Sequence, residues 1–278
     1  MGSIIVVASS KGGVGKSCLV TALSVNLAAL GYRVAAVDAD RNQAFSTWHR
    51  MAESPPLTCT SCIDHNEIVG HCMEVAENAD VVVVDTAGFE NQTAIFAIGA
   101  ADMVLIPVMP DRNSVLEARK TARQVASVSK IARRDIPYRI VRNRWNPKGL
   151  AERATLEDLA ATEMPTLVQH LGDLVAFQKY TFSGIMPKSG LVGLQIDRVI
   201  DELTGLGSLD GRVIGGKLDI PIGTDVAMLQ SPKGPSMLPA SPPNHRTTKA
   251  PSSREGPRVR PGKADRGLDP VDMLGGKS

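Results

Sequence analysis

The sequence predicts an α/β protein with a doubly wound, mostly parallel β-sheet. Short apolar runs rich in β-branched residues alternate with longer segments of helical periodicity along residues 1–205, which is typical of strand–helix–strand units. The runs are apolar throughout, as expected for parallel strands that helices cover on both faces. The chain has 278 residues, 43% of them hydrophobic, which suffices for one large domain and an appendage.

Six strands are predicted, each from a short apolar run. The second and the fourth end directly before Asp38 and Asp85. Pro107 lies near the end of the fifth, where its missing N–H group is tolerated. The third is the weakest of the six. In chain order the strands are Ile4–Ala8, Arg33–Val37, Leu57–Ile63, Val81–Val84, Met103–Val108 and Tyr138–Val141.

Helices are predicted where apolar residues recur at three- and four-residue spacing. The first ends before Gly31, a typical C-terminal stop, and Asp111 is a candidate N-cap for the long third helix. In chain order the helices are Lys16–Leu30, Glu67–Glu77, Asn113–Arg133, Leu150–Ala161 and Leu191–Leu203. Ligands bind at the carboxyl ends of parallel strands, so four loops are expected to converge there: 9–17, 38–43, 85–88 and 108–114.

The C-terminal part of the chain differs in composition from the rest. Residues 231–278 hold 9 of the 18 prolines, and 9 Lys and Arg against 4 Asp and Glu. With few large apolar side chains, this segment cannot offset the entropy of ordering and is predicted to be a disordered basic tail. Residues 206–230 are predicted to be a linker or a short extra element that follows the domain at 1–205.

The composition also argues against several classes of protein. No apolar run approaches the roughly 18 residues that span a bilayer, and the first residues do not resemble a secretory signal. The proline-rich C-terminus lacks an apolar helix face, so membrane anchoring is not expected. The four cysteines do not form a disulfide pattern. A cytoplasmic location is therefore expected.

A glycine-rich loop lies between the first strand and the first helix. Its sequence is SSKGGVGKS, residues 9–17. Glycines at positions 12, 13 and 15 allow backbone N–H groups to turn inward around a phosphate at the helix N-terminus. Lys16 supplies a positive charge for the outer phosphates, and the Ser17 hydroxyl is a candidate Mg²⁺ ligand. The loop therefore predicts a nucleoside triphosphate site.

This loop resembles the deviant Walker A motif, KGGxGK[ST], of the ParA/MinD superfamily of dimerising ATPases. The general P-loop pattern has glycine where Ser10 stands, and Lys11 here directly precedes the glycine pair. VDAD at 37–40 and VVVVDTAG at 81–88 are similar to two further motifs of the family. The resemblance covers residues 1–205 and implies a P-loop ATPase fold with ATP and Mg²⁺ as ligands.

The resemblance implies a role for each matching catalytic residue. Lys11 would be the signature lysine, which reaches the nucleotide of the partner subunit in an ATP-bound homodimer. Lys16 would hold the β- and γ-phosphates, and Asp40 would orient the attacking water. Phosphoryl transfer depends mainly on positioning and charge neutralisation, which these side chains can provide.

The binding residues follow from the same resemblance. Ser17 would bind Mg²⁺ directly, and Asp38 and Asp85 would hold it through its waters. An asparagine at the end of a strand and a later proline would flank the adenine base. The implied nucleotide contacts are Gly12, Gly13, Val14, Gly15, Lys16, Ser17, Cys18, Asn143 and Pro187.

Two departures from the family pattern bear on function. The segment DADRNQ at 38–43 replaces the DxDPQ of chromosomal and plasmid ParA proteins. Together with Trp48, it is more similar to ParA-type proteins of conjugative or T-DNA transfer. Cys18 stands where relatives have threonine, which removes one phosphate hydrogen bond but leaves the backbone amides in place. Hydrolysis is expected to be slow without a stimulating partner.

Positive charge is concentrated in residues 112–153, with 12 Lys and Arg against 3 Asp and Glu. Several of these cations share one face of the predicted third helix. Such a face binds phosphates without sequence preference and with steep salt dependence, and an ordinary solvated helix is the alternative. With the ParA resemblance, non-specific DNA binding by the ATP dimer and a nucleoid-associated location are favoured. The candidates are Arg112, Arg119, Lys120, Arg123, Lys130, Arg133, Arg134, Arg142 and Arg144.

Cys59, Cys62, His65, His71 and Cys72 have spacings that resemble those of a metal site. The first two fall three residues apart on a predicted strand, so their side chains point to opposite faces, and no second CxxC pair occurs. Small buried hydrophobic residues and a surface thiol are therefore the favoured interpretation, with a structural zinc site as the alternative.

Three classes of function remain. The first is a ParA-like ATPase that dimerises on ATP, binds DNA and positions plasmid or transfer DNA through a ParB-like partner that stimulates hydrolysis. The second is an accessory ATPase of conjugative or T-DNA transfer, which recruits relaxosome DNA to a secretion coupling protein of the transfer apparatus. The third is a metabolic ATP-dependent ligase or metal-cluster carrier on the same scaffold.

Overall fold

The computed structural model describes residues 1–52, 57–88 and 91–209. Within them, the strands are β1 Ser3–Val7, β2 Val34–Ala39, β3 Thr58–Ser61, β4 Val81–Thr86, β5 Met103–Val108, β6 Tyr138–Trp145 and β7 Thr166–Gly172. The helices are α1 Lys16–Ala29, α2 Ala44–Met51, α3 Ile68–Asn78, α4 Gln92–Ala100, α5 Arg112–Ala132, α6 Leu150–Ala161, α7 Ala176–Ser183 and α8 Gly190–Gly205. The predicted tail, and the predicted linker from residue 210 onward, lie outside the described residues.

The strands form one seven-stranded sheet in the order β3-β2-β4-β1-β5-β6-β7. Every neighbouring pair is parallel. Strand β1 therefore lies at the centre, and the loop that follows it opens between the carboxyl ends of β4 and β5. The predicted doubly wound parallel sheet is confirmed.

Helices cover both faces of the sheet because the central strands are apolar on both sides. On one face, Ile5 and Val7 pack with α1, α2, α7 and α8, where Leu23 and Ile196 are fully buried. On the other face, Ile4 and Val6 pack with α3, α4, α5 and α6. This two-sided core holds the carboxyl ends of β1, β2 and β4 in fixed relative positions.

Four elements lie where the sequence analysis predicts none: α2, α4, β7 and α7. Strand β7 is an edge strand whose exposed and buried residues do not alternate regularly, so it lacks the uninterrupted apolar run of the central strands. Its backbone N–H groups at Val168 and Gln169 donate to the carboxylate of Glu202 on α8, at 2.8 and 3.0 Å. Strand β6 continues to Trp145, beyond the predicted end at Val141.

No helix in the described ranges combines the length and the hydrophobicity that crossing a bilayer requires.

Candidate functional site

The loop between β1 and α1 has the backbone geometry of an anion cradle. Gly13 and Gly15 have φ angles of 75° and 90°, a left-handed region that strains residues with a Cβ. Helix α1 begins at Lys16, and no side chain caps its N-terminus at Gly15. The first-turn N–H groups of a helix have no partner within the helix and attract anions. The loop is therefore suited to bind phosphate.

Asn143 on β6 holds this loop through a hydrogen bond to its backbone. Its Nδ2 donates to the carbonyl oxygen of Val14 at 2.7 Å, and the residue is 5% exposed. A Cβ on Gly15 would overlap Nδ2 of Asn143, so the loop conformation and this side chain require one another. The structure thus gives Asn143 a role in the loop itself. Its contact with adenine stays a prediction, as does that of Pro187, a half-buried residue between α7 and α8.

Lys16 points into the site and is largely excluded from water, with 8% exposure. Burial lowers its pKa, and the negative charges of Asp85 and Asp40 oppose that shift. A lysine ammonium with few waters around it interacts strongly with an incoming anion, because the local dielectric is low. This placement is what the predicted phosphate contact of Lys16 requires.

Two carboxylates stand side by side at the edge of the sheet. Asp38 and Asp85 are register partners on β2 and β4, and both are fully buried. The carboxylate of Asp38 accepts hydrogen bonds from the backbone N–H groups of Asp40 at 3.1 Å and Ser46 at 2.8 Å. Among the described residues, neither oxygen of Asp85 has a hydrogen-bond partner of standard geometry. Asp85 is thus a buried acceptor with unused lone pairs.

The surroundings of Asp85 fit a cation. Burial raises its pKa to about 7, whereas the Ser17 hydroxyl and Lys16 favour its charged form. Magnesium prefers hard oxygen ligands, retains several waters and uses few carboxylates. The Ser17 hydroxyl and the carboxylates of Asp38 and Asp85 form such a donor set, so the residues present fit Mg²⁺.

The raised pKa of Asp85 predicts a pH-dependent stability in nucleotide-free protein. The unfolded chain loses this proton near pH 4, whereas the folded chain keeps it until about pH 7. Stability therefore falls as the pH rises through this interval, because the native state binds more protons than the unfolded state. We expect Asp85→Asn to be more stable than the natural protein at pH 8 by about 2–4 kcal/mol, and not at pH 4, in urea unfolding.

The control for this measurement is Asp173→Asn, which removes an exposed carboxylate paired with Arg144 at 3.1 Å. This control is expected to leave the pH profile unchanged, because exposed ion pairs contribute little. Equal pH profiles for Asp85→Asn and the natural protein would show that Asp85 ionises normally in the folded state.

Asp40 lies at the rim of the site, directly after β2. It is partly exposed, and its Oδ1 accepts a hydrogen bond from the backbone N–H of Asn42 at 2.9 Å. Gln43 then adopts a left-handed φ of 47° as the N-cap of α2. This turn directs the chain from the rim into α2. The water-orienting role of Asp40 stays a prediction.

Lys11 is bound within its own subunit. Its Nζ donates to both carboxylate oxygens of Asp111, at 2.8 and 2.9 Å, and to the hydroxyl of Ser114 at 3.0 Å. The neighbouring Ser10 hydroxyl donates to Oε2 of Glu117 at 2.7 Å, and its N–H donates to Thr121 Oγ1 at 3.1 Å. The first residues of the loop are therefore joined to the first half of α5.

The predicted DNA-binding residues fall into two groups. Five on α5 are exposed, as is Arg133 just beyond it, although Lys120 pairs with Glu117 at 2.6 Å. The other three bind groups of the protein itself. Arg134 donates to the carbonyl oxygens of residues 99 and 101, and Arg144 pairs with Asp173. The half-buried Arg142 donates to the carbonyl oxygens of residues 167 and 168. Arg134 and Arg144 are also exposed, so their contacts with the protein set them apart from the first group, which is Arg112, Arg119, Lys120, Arg123, Lys130 and Arg133.

The cysteines at 59–72 are divided between the two cores. Cys59 packs on the core that includes α1, and Cys62 and Cys72 pack on the opposite one. The separation of Cys59 from Cys62 was predicted from strand geometry. His71 shares a 2.9 Å hydrogen bond with Thr60. No three His, Cys, Asp or Glu residues are grouped to hold a metal ion in the described ranges.

The surroundings of Cys18 were not predicted from the sequence. Its thiol contacts the carbonyl oxygen of Phe177 on α7 at 3.8 Å, and burial raises the pKa of this thiol to about 12. Such a thiol is protonated and unreactive at neutral pH. Residues 176–183 mix apolar and polar side chains, and no helix was predicted there. The contact of Cys18 with α7 therefore could not be predicted either.

A model of the CobQ/CobB/MinD/ParA nucleotide-binding domain matches residues 5–185, which include the loop, both buried carboxylates and Asn143. The chain belongs to this family. Protein ParA of Rhizobium radiobacter is 32% identical over 139 residues, 50% of this chain and 63% of that protein. Protein virC1 of the same organism is 30% identical over 142 residues, 49% of this chain and 62% of that protein. The chain thus matches less than two thirds of the length of each relative.

The solved structures of the family share this fold. The septum site-determining protein MinD from Pyrococcus horikoshii, complexed with Mg-ADP, superposes with a TM-score of 0.59 at 18% identity. The match covers 74% of this chain and 98% of that one. The relatives named ParA and virC1 confirm the predicted ParA branch of the ParA/MinD superfamily.

Proposed function

We propose that this chain is a ParA-type ATPase that binds MgATP in the glycine-rich loop, dimerises on ATP and positions DNA through a partner-stimulated hydrolysis cycle. The observation that carries the proposal is the convergence of Lys16, the Ser17 hydroxyl and the unpartnered carboxylate of Asp85 beside the uncapped N-terminus of α1. The positive charge of Lys16 complements the phosphates of a nucleoside triphosphate, and the oxygen atoms of Ser17 and Asp85 suit the magnesium ion that accompanies it. The relatives ParA and virC1 support the choice of class.

The side chains of the site divide the work of phosphoryl transfer. The α1 amides and Lys16 bind and neutralise the outer phosphates. Ser17 would bind Mg²⁺ directly and Asp38 and Asp85 would hold it through its waters, and the bound metal would neutralise developing charge. Asp40, at the rim, orients the attacking water. The resemblance assigns Lys11 to the nucleotide of a second subunit, so the complete site forms only in the ATP dimer.

DNA binding is proposed for the exposed cations of α5. Arg112, Arg119, Arg123 and Lys130 have no hydrogen bond or ion pair to an acidic side chain among the described residues. Unpaired cations can each neutralise a phosphate and release counterions. We leave Arg134 and Arg142 out of this surface because protein carbonyl groups occupy their guanidinium groups.

ATP-dependent DNA binding over a salt series tests the proposal. With arbitrary duplex DNA, we expect binding with ATP and little with ADP or without nucleotide, because a dimer doubles the cationic surface. The affinity should fall steeply between about 50 and 200 mM salt. Arg119→Ala combined with Arg123→Ala should weaken binding about 10-fold and reduce the magnitude of the salt slope by about 2 for each subunit that contacts the DNA. The readout is fluorescence anisotropy of labelled duplex.

Arg153→Ala is the matched control, because Arg153 is an exposed arginine on α6. The Arg153→Ala variant should bind DNA normally.

Lys11→Ala should retain nucleotide but lose both dimerisation and DNA binding. DNA binding that is independent of nucleotide would contradict the proposal. The absence of binding at any salt concentration would also contradict it and would favour a metabolic role on the same scaffold.

A transfer accessory role is the second candidate, supported by the virC1 relative at 30% identity and by the DADRNQ segment at 38–43. This role uses the same nucleotide cycle as the DNA-positioning role and differs from it in the partner protein. Co-purification with a ParB-like protein would favour partition, whereas co-purification with a coupling protein of a secretion system would favour transfer.

A further inference from the structure

Strand β3 has one edge without a neighbouring strand among the described residues, because it ends the sheet order beside β2. The N–H of Cys62, just after β3, donates to the carbonyl oxygen of Asp38 on β2 at 3.0 Å. Backbone groups of successive residues in a strand point in opposite directions, so those of Thr60 also face β2. The N–H and C=O groups of Cys59 and Ser61 therefore face outward and are available for pairing.

A groove of about 720 Å³ runs between this strand and α3. Its residues on α3 are spaced three and four apart and so share one helix face, and those on β3 are two apart and face the same side of the sheet. This volume is comparable with that of pockets that enclose small ligands, so the groove can accept several side chains. We define the β3 groove by Thr58, Thr60, His71, Glu74, Val75 and Asn78.

The β3 groove is acidic. Glu74 is exposed, as is Glu67 at the N-cap of α3, which extends the same helix face. Neither forms a salt bridge with another residue that the structure describes. Arg33 also lines the groove, but its guanidinium group is paired with Asp80 at 2.7 Å. A basic occupant is therefore complementary to the groove, whereas a second copy of this edge would bring like charges together.

We propose that the β3 groove and the outward edge of β3 form a docking site for an extended, lysine- or arginine-bearing peptide segment of a partner protein. The peptide adds a strand to the sheet, and its backbone pairs with that of Cys59 and Ser61. Every second side chain of an added strand points to the same face and enters the groove beside Glu74. Backbone pairing provides affinity, and the groove provides the preference for basic side chains.

The docking site does not depend on the nucleotide. The β3 groove lies toward the amino ends of its strands, because Val34 and Thr58 begin β2 and β3 and both line it. The glycine-rich loop and Asp85 lie at the carboxyl ends. Peptide binding is therefore expected to be equal with and without MgATP, so the proposal can fail or succeed independently of the ATPase function.

Fluorescence anisotropy of a labelled peptide of alternating valine and lysine tests the site in nucleotide-free protein. We expect saturable binding, and about 10-fold weaker binding of the same peptide with glutamate in place of lysine. Methyl groups on the backbone nitrogens of the lysine peptide should abolish binding, because they prevent pairing as a strand. No binding of the lysine peptide, equal affinity for the two charged peptides, or unchanged binding after methylation would each overturn the proposal.

Glu74→Lys reverses the charge of the groove at an exposed position. This variant should bind the lysine peptide about 10-fold more weakly and the glutamate peptide more tightly, because an attraction becomes a repulsion. The matched control is Glu157→Lys, which changes an exposed glutamate on α6 and should leave both affinities unchanged. Unchanged affinities in Glu74→Lys would contradict the role of the groove.

Amide hydrogen exchange measured by NMR locates the bound peptide. Saturating lysine peptide should slow exchange at the N–H groups of Cys59 and Ser61 about 10-fold. The N–H groups of Val168 and Gln169 are already bound by Glu202 and should exchange as before. Unchanged exchange at Cys59 and Ser61 would place the peptide elsewhere and overturn the proposal. Nucleotide-free self-association in sedimentation velocity that the peptide reverses would identify a second copy as the occupant, which would also overturn it.

Discussion

Lys16→Ala is expected to weaken MgATP binding by at least about 100-fold, because truncating one partner of a buried charge pair costs several kcal/mol. The ammonium of Lys16 lies in a poorly hydrated position, with 8% exposure, next to the uncapped first turn of α1. In alanine the amides remain but the charge that faces the outer phosphates is lost. Titration calorimetry of MgATP into nucleotide-free protein measures the change directly.

The control for Lys16→Ala is Lys148→Ala, which removes an exposed lysine and should bind MgATP normally. Circular dichroism of both variants should match the natural protein, because Lys16 makes no salt bridge with another residue of the described ranges. Undiminished affinity in Lys16→Ala would remove this side chain from the phosphate site.

Gly15→Ala is expected to destabilise the nucleotide-free protein by about 2–3 kcal/mol. The φ angle of 90° costs a residue with a Cβ about 1–2 kcal/mol. The new methyl group also displaces Nδ2 of Asn143, and the loss of its hydrogen bond to Val14 adds about 1 kcal/mol. Urea unfolding without nucleotide measures the change.

Gly12→Ala is the matched control in the same loop, because no atom lies within 4 Å of a Cβ at this position. It should change stability little. The double variant Gly15→Ala with Asn143→Ala should show less than additive destabilisation, since trimming Asn143 removes the overlap. Strict additivity would mean that backbone strain alone accounts for the effect of Gly15→Ala.

The central elements could be predicted from sequence because one physical signal dominates there. Residues 4–7 and 81–84 are apolar on both sides, and both faces of the sheet are covered by helices. The loop at 9–17 has glycines where the backbone needs left-handed angles. At these positions local preference and tertiary packing agree, which is where reasoning from sequence is most reliable.

The peripheral elements could not be predicted because several signals compete. Strand β7 mixes buried and exposed residues without regular alternation. Helix α4 is apolar at every position from 94 to 100, so it lacks the periodicity of a surface helix. The capping role of Asp111 was predicted and is confirmed. Its ion pair with Lys11 joins residues 100 positions apart, and no local pattern reports such a contact.

Glu202 on α8 affects how this protein can associate with other chains. Its two carboxylate oxygens occupy the N–H groups of Val168 and Gln169 on the outermost strand β7. An intruding strand would have to displace a charged acceptor before it could pair there. Self-assembly by sheet extension and the aggregation that accompanies it are therefore disfavoured along this side.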